Sequence, residues 1–182
     1  MSMRLSIQRY VTICVTSLAA SVAIASGCGS SDEPAESSDE PAELAGITAA
    51  HNRVRAEVGV APMKWNPALA TLAAGFIADC VFAHSTSPER MNVAGFEYIG
   101  ENLYASGGFV PTGAQVSDAW ASEISMYTYA NNSCSGVCGH YTQQVWRSST
   151  DLGCAIKACP SGQQIVACEY GPGGNYNGQK PY

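Results

Sequence analysis

This chain predicts an α+β domain braced by disulfides. Three observations carry that expectation: apolar residues recur at helical spacing in three places, two strand-like segments flank a Pro-Ser-Gly turn near the C-terminus, and six of the eight cysteines fall beyond residue 44. An even number of cysteines in an exported chain points to bridges rather than reactive thiols.

The chain opens with Arg4 and Arg9, then an uncharged run from Tyr10 to Ala25 that closes on Ala25-Ser26-Gly27-Cys28. A basic start, an apolar middle and small residues at the end make a secretory signal. The cysteine marks the lipoprotein type, in which the first mature residue receives diacylglycerol. Residues 1–27 are therefore expected to be removed and Cys28 lipidated, which leaves an extracytoplasmic protein anchored to the cell membrane. Gly29 rather than Asp after Cys28 favours the outer membrane in a cell that has two.

Residues 28–43 form a linker. Ser-Ser-Asp-Glu-Pro-Ala-Glu occurs at 30–36 and again at 37–43. Such a tract cannot bury enough apolar surface to offset its ordering entropy, so it is expected to be an extended tether. It holds six of the chain's 15 acidic residues, and the remaining nine face seven bases beyond it. The acidity therefore belongs to the tether, and no basic patch for nucleic acid exists.

Residues 44–182 are one domain's worth of chain. Leu44, Ile47, His51, Val54 and Val58 make an amphipathic helix stopped by Gly59 and Pro62. Asn66 followed by Pro67 is an N-cap signal, and Leu69, Leu72, Phe76 and Cys80 would line one face of the second helix. A third helix starts at Thr112 with Gln115 at capping-box spacing and carries Val116, Ala119, Trp120 and Glu123 on one stripe that extends toward Tyr127. A carboxylate on an apolar stripe calls for donors nearby, because burying it alone costs several kcal/mol.

Segments 152–159 and 163–170 read as strands around Pro160-Ser161-Gly162, a turn that sets Cys154 opposite Cys168. Opposed residues lie close enough to bridge. Cys159 faces the other way, toward the layer holding Cys80, and Cys134 with Cys138 completes the assignment. The glycine-rich stretch from Gly171 to Gly178 is a coil; with no helix after it, it is no phosphate cradle.

Four stretches resemble the CAP superfamily, the group of cysteine-rich secretory proteins, insect antigen 5 and plant pathogenesis-related group 1 proteins. His51-Asn52-Arg53-Val54-Arg55 matches HNxxR, Gly100-Glu101-Asn102-Leu103 matches GENL, and the stretch from Gly139 to Trp146 matches GHYTQxxW. Ile165 to Tyr176 matches the second family signature. Their order and spacing hold over essentially all of 44–182, in what reads as a bacterial lipoprotein form. Gln144 and Glu169 depart from the family pattern, which has an aliphatic and a neutral polar or basic residue there. The link between Cys134 and Cys138 is shorter than in the plant proteins.

The resemblance implies a three-layer α-β-α sandwich with a small antiparallel sheet and an open cleft bearing His84, Glu101, Glu123 and His140. His51 is then a structural histidine. Two neutral imidazoles, His84 and His140, would bind zinc or another divalent cation weakly, with waters completing the shell and the glutamates orienting rings or waters. Two protein ligands are one fewer than catalytic zinc normally has, and protonating both rings in acid would expel the ion. Ser85 beside His84 does not offer serine–base geometry, and with three disulfides no thiol is left as a nucleophile.

Three functions remain. The first is a non-enzymatic, monomeric binding module for a lipid or sterol-like molecule, with Met126, Tyr127 and Tyr129 as candidates for the family's aromatic lipid loop. The second is a metal-dependent hydrolase with Glu101 or Glu123 as general base. The third is a surface adhesin or antagonistic factor.

Overall fold

The computed structural model describes residues 39–182. The signal segment, Cys28 and the first copy of the acidic repeat lie outside the described residues.

The last residues of the acidic repeat engage the start of the first helix. Glu40 accepts hydrogen bonds from the backbone N–H groups of Gly46 (2.7 Å) and Thr48 (3.1 Å). These amides begin helix α1 (Ile47–Glu57), whose N-cap, Gly46 at φ 80°, offers no side-chain acceptor. A carboxylate from the linker thus takes over the capping and meets the positive end of the helix dipole. Between them, Ala42–Leu44 forms one 3-10 turn and Leu44 is fully buried.

Strand β1 (Lys64–Trp65) leads into helix α2 (Pro67–Phe76). Asn66 caps that helix through Ala68 N and Leu69 N, with Pro67 at its first position, where a missing N–H costs nothing. The helix stops before Cys80, whose backbone turns left-handed at φ 58°. Its buried face is Leu69, Ala73 and Ile77, while Leu72 and Phe76 are only half-buried. The hairpin β2 (Met91–Val93) and β3 (Phe96–Tyr98) precedes β4 (Gly100–Gly107).

Helix α3 (Gly113–Ala121) opens on the complete capping box of Thr112 and Gln115. It tightens into a 3-10 turn over Ser122–Met126, so Glu123 stays on the inward stripe while Tyr127 leaves it in a strand. The two-residue strands β5 (Tyr127–Thr128) and β6 (Ser133–Cys134) pair, and helix α4 (Gly139–Gln144) follows. The chain closes its sheet with β7 (Asp151–Ala158) and β8 (Gln163–Gly171).

The main sheet runs β1-β7-β8-β4. Its three long strands are antiparallel, and β1 adds a short parallel edge to β7. Period-two alternation divides the core. Leu152, Cys154, Val166, Cys168 and Tyr170 face Ile47, Val116 and Trp120, while Ala155, Ile165, Ala167 and Leu103 face Ala73 and Ile77. This is the α-β-α sandwich, with α2 on one face and α1, α3 and α4 on the other. Gly153 permits the close approach of α2, since any side chain there would strike the backbone at Ala70.

Three disulfides brace the domain. Cys154 and Cys168 are register partners on adjacent strands, Cys80 joins Cys159 across 79 positions, and Cys134 joins Cys138 across four.

Candidate functional site

Two His–Glu pairs face the same way round. Nδ1 of His84 lies 2.6 Å from Oε1 of Glu101, and Nδ1 of His140 lies 2.5 Å from Oε1 of Glu123. A carboxylate only accepts, so each ring donates from Nδ1 and keeps the lone pair on Nε2. The carboxylates are the inner members: the Glu101 side chain is fully buried under a His84 ring that is 55% exposed, and Glu123 is 12% exposed under a His140 ring at 27%.

Each carboxylate is held by backbone as well. Ser85 N donates to Glu101 at 3.0 Å. Glu123 accepts from His140 N (3.0 Å) and Tyr141 N (3.1 Å), the first amides of α4. The donors that a glutamate on an apolar stripe requires are therefore a helix start and the ring it carries. His140 also stacks on Trp120, with ring centroids 6.2 Å apart and planes 12° from parallel.

The segments carrying the pairs meet through Asn102. Its Nδ2 donates to the carbonyl of His140 (3.0 Å) and to the Tyr170 hydroxyl (3.0 Å). Tyr170 in turn contacts Nε2 of His51 at 2.9 Å, and Nδ1 of His51 donates to Ile47 O at 2.8 Å. His51 is wholly buried, and desolvation lowers its pKa from 6.5 to about 4, against the smaller opposing effect of the Ile47 carbonyl. Arg55 from the same motif is buried too and donates to the carbonyls of Ala61, Gln144, Trp146 and Ser149. Burial lowers its pKa to about 10, which leaves it cationic.

Glu169 is a feature that periodicity does not reveal. It is fully buried beside its register partner Glu101, and neither of its oxygens meets a donor. Burial first, and the Glu101 charge second, push its pKa well up. The signal for it was its departure from the family pattern. Gln144, the other departure, is buried with its amide nitrogen on Ser117 Oγ at 2.7 Å.

Other candidates have structural work. Tyr127 packs with Tyr141 and donates to Asn132 at 2.7 Å. Tyr129 stacks on Tyr182 with centroids 4.7 Å apart, and Met126 lies against Gly136. The Ser85 hydroxyl is buried without a partner and makes no bond to His84.

A divalent ion would meet Nε2 of His84 or His140. Among the described residues no three His, Cys, Asp or Glu side chains gather as one ligand set. The donors thus fit an ion completed by water, not a closed or three-ligand centre. Among those residues no helix is long and apolar enough to cross a membrane.

Residues 48–170 match the model of the cysteine-rich secretory protein family, CAP. The chain is 44% identical to pathogenesis-related protein 1 of Arabidopsis thaliana over 137 residues, covering 73% of this chain and 78% of that protein. It is 40% identical to pathogenesis-related protein 1A of Nicotiana tabacum over 139 residues, covering 73% and 77% respectively. Among solved structures, venom allergen-like protein 4 of Schistosoma mansoni superimposes with a TM-score of 0.64 at 28% identity, over 75% of this chain and 91% of that one.

Proposed function

The chain belongs to the cysteine-rich secretory protein family, and from that premise we propose an exported, non-catalytic binding module tethered to a membrane through Cys28. Its cleft takes a lipid or sterol-like ligand, and the imidazoles of His84 and His140 hold a divalent cation such as zinc weakly. When bound, the ion supplies a positive charge to which a polar head group can attach.

The observation that carries the reading is the matched orientation of the two pairs. A carboxylate fixing Nδ1 so that Nε2 points away is the outer-sphere arrangement that prepares an imidazole to bind metal. It also occupies both glutamates: each carboxylate already accepts a ring N–H and a backbone N–H, so neither stands free as a general base. Exposed apolar side chains adjacent in sequence to members of the pairs support an apolar ligand. Val81 and Phe82, just before His84, are 58% and 51% exposed, and Ile124, beside Glu123, is 46% exposed. Lipidation at Cys28 rests on the small-residue and cysteine pattern of the signal alone.

The test is co-purification of radiolabelled sterol and fatty acid with the full chain, with zinc titration calorimetry at pH 8 and pH 5. Retained lipid, and zinc binding at pH 8 that is lost at pH 5 and in His84→Ala, support the reading. Failure of both lipids, together with zinc-dependent cleavage of an ester or peptide, overturns it in favour of a hydrolase. Intact mass of the membrane-extracted protein reads the Cys28 modification directly.

A further inference from the structure

We propose that the groove between the Cys134–Cys138 loop and the C-terminal coil is a second binding site, built for a neutral oligosaccharide. The groove has a volume of about 540 Å³, within the size of small-ligand sites. Among the described residues, no Asp, Glu, Lys, Arg or His lines it. Lys180, in the neighbouring coil, is turned aside: its Nζ sits 4.1 Å from the centre of the Tyr129 ring and bonds Ala130 O.

Its walls are fixed before any ligand arrives. Asn175, at φ 58°, donates to Gly139 O (2.8 Å) and accepts from Thr142 (2.7 Å). Asn132, at φ 53°, donates to Gln179 O (3.0 Å) and accepts from Tyr127. Gly174 lies so close on the Trp146 indole that no Cβ fits between them. The disulfide closes the opposite wall. A site held this way loses little freedom on binding.

What the groove presents is an aromatic face beside uncommitted amides. Tyr176 is 46% exposed, and its ring leans on Trp146 (5.9 Å) and Tyr98 (6.1 Å). The side chains of Asn177 and Gln179 are exposed and make no hydrogen bond among the described residues. Val137, 59% exposed, lines the same groove. A pyranose ring has an apolar C–H face to lay on the tyrosine and hydroxyls that both donate and accept, which is what carboxamides pair with. A lipid chain would cover the amides without satisfying them, and an ionic ligand would find no counter-charge.

The full chain is titrated with chitotriose, cellotriose, xylotriose and maltotriose while amide chemical shifts are followed. The expected result is millimolar binding of at least one trisaccharide, with shifts confined to residues lining the groove, between 127 and 146 and between 175 and 181. Tyr176→Ala should weaken it by roughly tenfold and Tyr176→Trp should retain it. Loss on Asn177→Ala with Gln179→Ala would assign the amides. Shifts elsewhere, an affinity unchanged in Tyr176→Ala, or no shift with any of the four at about 10 mM would overturn the proposal. The His84 and His140 variants should bind the sugar normally, so failure of the cleft reading and failure of this one are separable.

Discussion

The Tyr170 hydroxyl lies 2.9 Å from Nε2 of His51, and this contact, spanning 119 positions, ties the first helix to the last strand. Because Nδ1 of His51 faces a carbonyl, it must donate there, so Nε2 accepts and Tyr170 donates. The Tyr170 oxygen then accepts from Asn102, whose amide also holds the His140 carbonyl. One directed chain of hydrogen bonds thus joins the family's histidine motif to the segment carrying the second His–Glu pair.

Tyr170→Phe breaks that chain at its centre. It leaves a buried imidazole nitrogen without its donor and one Asn102 bond without its acceptor, a loss of about 1–3 kcal/mol. Urea unfolding near neutral pH measures it, and an unchanged midpoint would show the network contributes nothing.

His51 makes stability depend on pH. The unfolded chain takes up a proton near 6.5, whereas the folded chain resists until about 4. Stability is therefore full above that window, falls as pH drops through it by up to about 1.4 kcal/mol per unit, and levels off below. His51→Gln should flatten this slope in a series of unfolding curves between pH 7 and pH 4.

Glu169 acts with the opposite sign. Its folded pKa is raised, so its contribution is fully present below the ordinary carboxyl value of 4.5 and is lost as pH rises. Glu169→Gln keeps the shape and supplies a permanent N–H donor toward Glu101. It should stabilise the protein at pH 7.5 by about 1 kcal/mol or more, with the gain vanishing toward pH 4.5.

The disulfides should rank by the chain they enclose. Replacing Cys80 and Cys159, 79 positions apart, by serine removes about 4.5 kcal/mol in the chain-entropy account. Replacing Cys134 and Cys138, four apart, removes about 2 kcal/mol. Thermal denaturation of the two double variants tests the order.

Under the proposed metal binding, Glu123→Gln should weaken zinc by about tenfold or more, because the neutral amide no longer raises the basicity of the His140 ring. Calorimetry at pH 8 reads this, and circular dichroism checks that α4 survives the loss of its capping charge.

Much of the scaffold was legible because it rests on short-range rules. Asn66-Pro67 and Thr112 with Gln115 mark helix starts by chemistry contained within a few residues. The Pro160-Ser161-Gly162 turn fixes the register that places Cys154 against Cys168. The end of α2 was read too far, since the same apolar spacing continues to Cys80 after the helix itself has stopped. Nothing in an acidic repeat announces that Glu40 will cap a helix whose own N-cap is a bare glycine.

By itself the sequence determined the family, the presence of the first three helices and the parity of the closing strands, all properties that recur at fixed local spacing. Tertiary structure alone decided which glutamate holds which imidazole, that Glu169 lies against Glu101 with no donor of its own, and that Arg55 braces the core. Those outcomes depend on where distant segments end up and on how much water remains around them, and neither quantity is written in the spacing of residues along the chain.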